Sequence, residues 1–301
     1  MTGAGIMDIK TIGFIGIGNM GRPMAANLVK GGFKVIAYDV DATRAAQFAK
    51  DHNATAATDL AALAGADAII TMLPTGKEVR AAVLPIAAKL RKGTLVIDMS
   101  SADPVGTRAL HAELATHGIK LVDAPVSGGV PRATDGTLAI MIGGDKDAVA
   151  DAKPVLEKMG TRLFDVGGPG NGHAMKALNN FVAGTGFIAV AEAVLVGKRF
   201  GLDPAVMIDV MNVSTGKNFN TEHVVKQQVI SREFASGFAL GLLAKDVKIA
   251  ADLAAAIDVE SPLTRMSAAL LGEARDRVGF EKDHTLAYTY WEKREKKQAA
   301  E

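Results

Sequence analysis

Lys176 and Asn180 stand four residues apart in the pattern Gly170-x-Gly172-x-x-x-Lys176-x-x-x-Asn180, near the start of a run with helical periodicity. That spacing projects both side chains from one face of a helix. A lysine in apolar company beside a helix N-terminus suits proton transfer, because desolvation and the helix dipole both depress an ammonium pKa towards neutrality. The residue reads equally well as a surface lysine whose stem snorkels along the helix, and its neighbours alone leave both readings open. A second group is Asp123-Ala124-Pro125-Val126-Ser127-Gly128-Gly129, where a Ser-Gly-Gly turn exposes backbone N–H groups. Together with the Ser127 hydroxyl they suit a carboxylate held by charge-assisted hydrogen bonds, although a flexible loop is the simpler account of that segment by itself. A third is Lys245-Asp246, a charged pair inside the apolar run Leu240 to Val247, where charge is costly unless paired or used.

Upstream, Thr11 to Leu28 joins an apolar run, Ile12 to Ile17, to Gly16, Gly18 and Gly21 at G-x-G-x-x-G spacing and then to a helical pattern. The first glycine permits a tight turn, the second lets backbone approach a pyrophosphate, and the third lets helix pack on strand. Gly16, Ile17, Gly18, Asn19, Met20 and Gly21 are therefore expected to surround a dinucleotide at a helix N-terminus. The next apolar strand, Phe33 to Tyr38, follows a Gly31-Gly32 helix stop and ends at Asp39. A carboxylate about twenty residues beyond the glycines accepts hydrogen bonds from ribose hydroxyls and repels a 2′-phosphate, so the spacing favours NAD over NADP. The competing role for Asp39 is to open a loop or cap the helix beginning near Ala42, which Asp41 or Thr43 serves as well.

The elements that must position these residues change character along the chain. From Lys10 to about Val166, short apolar runs at 68–72, 95–98, 120–122, 139–142 and 162–164 alternate with helical patterns at 41–50, 104–116 and 147–159. That alternation predicts an α/β fold, a doubly wound Rossmann domain over 1–169. After Gly167-Gly168-Pro169-Gly170 the strand signals stop, and an all-helical domain is expected over 170–301, opening with a long apolar helix from about Gly172 to Phe200. A helix apolar on several faces suits burial between domains or subunits, so an oligomer is expected.

The composition narrows the function. The 301 residues are 49% hydrophobic and carry a net charge of +1, which gives no basic field for nucleic acid. There is no cysteine, and the six histidines include no H-x-x-x-H pair, so no metal is expected. No signal peptide or membrane span is evident, since the most apolar segment, 181–196, is interrupted by Gly184, Thr185, Gly186 and Glu192. A cytoplasmic protein with a small-molecule substrate is the expectation.

Taken together, GFIGIGNMGRPMAANL, DAPVSGG, the Gly170–Asn180 pattern and LLAKDVKIA resemble the 3-hydroxyisobutyrate dehydrogenase family, the β-hydroxyacid dehydrogenases, from Ile12 to about Trp291. The resemblance implies Lys176 as the catalytic lysine, Asn180 as a substrate-orienting side chain, and Ser127, Gly128 and Gly129 as a carboxylate cradle. It also implies that Lys245 closes over the cofactor, and that Leu73, Pro74 and the Ser100-Ser101 loop line the nicotinamide side. Ser101 stands where the family often has threonine, keeping the hydroxyl and losing a methyl. The implied reaction is NAD-dependent hydride transfer with a small 3-hydroxy acid or its semialdehyde, in a homodimer or homotetramer. Short-chain semialdehyde reduction (tartronate, succinic or glyoxylate type), imine reduction, or non-catalytic dinucleotide binding are the alternatives on the same fold. Lys217, Asn218 and Phe219 fall where family members vary, and Lys217 reads either as a cation for a second anionic substrate group or as a solvent-facing residue.

Overall fold

The computed structural model describes residues 6–298, so the outer ends of both expected domains, 1–5 and 299–301, lie outside the described residues. The chain divides into two compact units, Met1–Lys176 and Ala177–Glu301.

The first unit alternates strand and helix. Its elements are β1 (Thr11–Ile15), α1 (Gly21–Lys30), β2 (Lys34–Tyr38), α2 (Ala42–His52), β3 (Thr55–Ala56), β4 (Ala68–Thr71), α3 (Gly76–Ala87), β5 (Leu95–Asp98) and α4 (Pro104–Thr116). They continue as β6 (Lys120–Asp123), β7 (Val126–Ser127), α5 (Gly129–Asp135), β8 (Leu138–Gly144), α6 (Lys146–Leu156) and β9 (Gly160–Gly167). The sheet runs β3-β2-β1-β4-β5-β6-β8-β7, with β9 also paired to β8. β1 to β6 are mutually parallel where they pair, in the 3-2-1-4-5-6 order of a Rossmann fold, and β8 adds antiparallel pairings to β6 and β7. β4 and β5 are buried at every residue, the near-continuous apolar run expected when helices cover both faces. Two strands carried too little sequence signal to be expected: β3 and β7 are two residues each.

Local chemistry starts the helices. Asp41 caps α2 by accepting from Thr43 N, and Asp103 caps α4, with Pro104 at the first helical position. The long helix α7 (Asn171–Phe200) leaves the first unit and enters the second, which continues as α8 (Pro204–Asn212), α9 (Phe219–His223) and a π-helical turn at Val225–Ile230. Then come α10 (Leu240–Ala256), α11 (Pro262–Val278) and α12 (Ala287–Gln298). α7 is long and apolar enough to cross a membrane by length and composition. Its buried residues Phe187, Ala191 and Val194 belong to a core with Leu243, Val247, Leu271 and Trp291, so packing within the second unit accounts for that face of the helix.

Candidate active site

The glycine turn sits at the carboxyl end of β1. Gly16 has φ +100°, and a Cβ there would run into the Met72 carbonyl oxygen. A Cβ on Gly21 would collide with the carbonyl oxygen of Gly16, so this glycine brings α1 down onto the turn. At Gly18 the space is open, with nothing within 4 Å of an added Cβ. Two closed positions around an open one, at the N-terminus of α1, fit a pyrophosphate against backbone. Asn19 is exposed and Met20 half-buried beside it, whereas Ile17 points inwards at 2% exposure. The Ile17 N–H is directed at Asp39, whose Oδ2 accepts it at 2.7 Å. Asp39 Oδ1 accepts from Asp41 N at 2.9 Å. Asp41 takes the helix-capping role, and Asp39 links the end of β2 to the glycine turn; a carboxylate accepting one N–H on each oxygen has further lone pairs. The turn, the helix end and this carboxylate fit a bound NAD.

The loops after β4 and β5 lie together. Leu73 N donates to Ser100 Oγ at 2.9 Å, fixing the Leu73-Pro74 segment to the Ser100-Ser101 segment. Ser100 N in turn donates to Asp98 Oδ1, which also accepts from Thr71 Oγ1 at 2.8 Å. Ser127 ends β7, paired with Ala139 of β8, and the chain then turns through Gly128 (φ +135°) and Gly129 (φ +65°) into α5. Two successive positive φ values explain why both positions are glycine, and they leave Ser127 at the start of a helix whose first N–H groups have no intrahelical acceptors.

Asp123 is the residue that sequence reasoning passed over in its own motif. It closes β6 and is buried, with Oδ1 accepting from Gly170 N at 2.8 Å and Oδ2 from His173 N at 2.9 Å. It therefore caps the helix that carries Lys176, although it lies 47 residues before Gly170. Burial pushes its carboxyl above the usual carboxylate range, against the opposing pull of His173 and the two backbone donors. Gly172 makes the capping possible, since a Cβ there would lie 2.6 Å from the carbonyl oxygens of both Asp123 and Met141. Lys176 follows one turn on, half-buried.

In the second unit Asn180 is buried and donates from Nδ2 to Asp246 Oδ2 at 2.6 Å. Its Oδ1 accepts from Asn179 Nδ2 at 3.1 Å. Lys245 Nζ lies 3.4 Å from Asp246 Oδ1. The charged pair in the apolar run is thus used, and Asp246 joins the expected residues Asn180 and Lys245. The variable segment has local partners: Lys217 forms an ion pair with Glu222 at 2.8 Å, Asn218 caps α9, and Phe219 is exposed. With its charge met by Glu222, Lys217 suits the solvent-facing reading better than a cation held for substrate.

A 3-2-1-4-5-6 sheet, a glycine turn closed at Gly16 and Gly21, and a carboxylate at the end of β2 define an NAD-dependent dehydrogenase of the Rossmann class. Comparison with known proteins narrows this. Residues 11–168 match the model described as the NAD binding domain of 6-phosphogluconate dehydrogenase, and residues 170–291 match that of the NAD-binding of NADP-dependent 3-hydroxyisobutyrate dehydrogenase. A 3-hydroxyisobutyrate dehydrogenase of Pseudomonas aeruginosa is 37% identical over 261 residues, covering 84% of this chain and 88% of its own. An NAD-dependent L-serine dehydrogenase of the same organism is 34% identical, over 87% of this chain and 91% of its own. The solved structure of Mycobacterium tuberculosis 3-hydroxyisobutyrate dehydrogenase with L-serine superposes with a TM-score of 0.87 at 36% identity, over 94% of this chain and 99% of that one. The chain belongs to the 3-hydroxyisobutyrate dehydrogenase family.

Proposed function

We propose that this protein oxidises the hydroxyl-bearing carbon of a small 3-hydroxy acid, or reduces the matching semialdehyde, with Lys176 as general acid and base. The capped first turn of α7 carries the proposal, because Asp123 and Gly172 hold the helix start at the carboxyl ends of the strands, on the same side as the glycine turn. Bound NAD supplies the hydride acceptor at C4 of its nicotinamide. In oxidation Lys176 Nζ takes the hydroxyl proton, directly or through water, and returns it in reduction. Asn180, fixed by Asp246, orients the substrate, and Ser127, Gly128 and Gly129 hold its carboxylate. Lys245 contributes a cation on the cofactor, while Leu73, Pro74 and Ser101 bound the nicotinamide. Both 3-hydroxyisobutyrate and L-serine carry a carboxylate two carbons from the hydroxyl oxygen's carbon, and both relatives reported above are named for such acids.

The proposal extends to assembly and place. Met175, Leu178, Val182, Val196 and Phe200 are exposed along α7, five apolar side chains on a single helix that contact with another copy would cover, which supports a homodimer or homotetramer. A cytoplasmic location is retained with it. Light scattering of the purified chain tests the first and cell fractionation the second. For the reaction, Lys176→Ala is expected to lower turnover of 3-hydroxyisobutyrate or L-serine by about 10²–10⁴-fold while leaving NAD affinity within a factor of about two. Turnover at the parent rate would refute the role of Lys176.

A further inference from the structure

The helical unit holds a cavity of about 160 Å³ that no step of the proposed reaction uses. Four parts of that unit wall it. Val194 and Lys198 come from α7, Pro204 opens α8, and Val229 and Ile230 belong to the π-helical turn. Arg232 from the loop after that turn and Tyr288 from α12 complete the lining. Val194, Val229 and Tyr288 are buried, so the floor is apolar. Lys198 stands five turns beyond Asn180 on α7, about 27 Å along the helix axis. The cavity is therefore not the place that Asn180, Lys245 and Asp246 share. The exposed Val196 and Phe200 lie about 160° round α7 from Lys198, so a contact over them faces away from it.

Two cations stand at the rim, and one carboxylate lies between them. Lys198 Nζ is 3.1 Å from Glu292 Oε1, and Arg232 Nη2 is 2.8 Å from Glu292 Oε2. An ammonium has three protons and a guanidinium five, so both keep donors after serving Glu292, and the rim keeps a net positive charge. Arg232 is also held by rings. Its guanidinium carbon is 5.4 Å from the centre of the Phe234 ring and 5.9 Å from that of Tyr288. The backbone here is unusual as well. Arg232 and Phe234 have φ of +68° and +50°, and the other non-glycine residues with positive φ among the described residues are Asn53, Asp258 and no bulky type. A π-helical turn immediately precedes them. Such turns and such strain collect where a protein holds a ligand.

We propose that this cavity is a second ligand site, which takes a short aliphatic monocarboxylate of about four to six carbons. Its carboxylate meets Arg232 and Lys198, and its chain lies on Val194, Val229, Ile230 and Pro204. The size follows from the volume, since a cavity of about 150 Å³ holds benzene. The charge follows from the rim, where a fixed guanidinium fork matches a carboxylate. Inorganic phosphate would leave the apolar floor uncovered, and the ammonium of an amino acid would meet the same two cations or that floor.

The site stands whether or not Lys176 is the base. Isovalerate titrated into the intact, NAD-bound protein, labelled at its valine and isoleucine methyl groups, tests it by NMR. The signals of Val194, Val229 and Ile230, assigned through Val194→Ala, Val229→Ala and Ile230→Val, are expected to move together. A ligand of about seven non-hydrogen atoms should give a Kd on the order of 1 mM. Isovaleramide has the chain without the charge and phosphate the charge without the chain, so each should bind about tenfold more weakly. Arg232→Asn keeps a residue type that tolerates the left-handed backbone and removes the guanidinium, and it should weaken isovalerate about tenfold. The titration of the parent protein decides the matter even if that variant does not fold. Unmoved signals up to about 10 mM, or movement confined to residues outside the cavity, would overturn the site. Phosphate or isovaleramide binding as tightly as isovalerate would overturn the ligand class.

Discussion

Asp39 has a structural role that its proposed recognition role would build on. Each oxygen holds one backbone N–H, from Ile17 and Asp41, so the side chain is fixed before a ribose arrives. Preorganisation of this kind makes substitution costly for selectivity. Asp39→Ala should weaken NAD binding by about tenfold or more and narrow the preference over NADP, because it removes a charge-assisted acceptor and the repulsion of the 2′-phosphate together. Kd measurements with both nucleotides check it, and an undiminished ratio would contradict the ribose role. Asp123 makes the opposite electrostatic case. Burial raises its pKa, so its ionised form costs stability at all pH values above that raised value, and the cost fades as pH falls towards the ordinary carboxylate range. Asp123→Asn removes that cost but turns an amide N–H₂ towards Gly170 N or His173 N, and the unsatisfied donor outweighs the charge. Denaturant melts at neutral pH should show a loss of about 1–3 kcal/mol. His284 adds an independent pH effect. Desolvation lowers its pKa below the ordinary value of 6.5 despite Asp283 and the Phe238 carbonyl. The folded state then binds fewer protons than the unfolded one, so stability is full above the unfolded value and declines as pH falls through it towards the lowered one. Denaturation midpoints compared on either side of that window should fall in the parent and fall less in His284→Gln.

At the scale of elements, the start of α7 is the decisive piece. Gly172 and Gly143 face each other, a Cβ on Gly143 lying 2.7 Å from Gly172 N. The nearest atoms around Gly172 are the backbone oxygens of Asp123 and Met141, which cannot swing aside, with the Asp123 carboxylate beside them, so Gly172→Ala must push the helix off the sheet, at about 1–3 kcal/mol. Activity should fall with it if the helix position matters, which thermal melts and turnover measured on the same sample will show. This is where the sequence was least legible. Apolar runs bounded by glycine and proline located β1, β2, β4, β5, β6, β8 and β9, and the change from period two to helical spacing located α7. Asp98, Asp123 and His173 did not stand out, because their importance lies in pairing across distant stretches, 47 residues apart for Asp123 and Gly170. Local periodicity carries no information about such pairs. An acidic residue at the end of two successive strands, with a histidine inside the Gly-x-Gly-x-x-x-Lys pattern, was the available signal.

At the scale of the molecule, the Rossmann unit carries the glycine turn, the Ser127–Gly129 turn and Lys176, and the helical unit carries Asn180, Asp246 and Lys245. The family resemblance read from four motifs is borne out by the matches over 11–168 and 170–291. What the motifs alone could not supply is the internal support of the proposed site residues: Asp246 behind Asn180 in the helical unit, and Asp123 behind the start of the Lys176 helix in the Rossmann unit. The central claim is that this helix presents a proton-transferring lysine to a substrate held beside NAD. The most direct test is the single-turnover rate of NADH formation by Lys176→Ala, with 3-hydroxyisobutyrate and L-serine in turn and NAD saturation verified by calorimetry. The account predicts normal NAD binding with hydride transfer slowed by about 10²–10⁴-fold; NADH formed at the parent rate would contradict it.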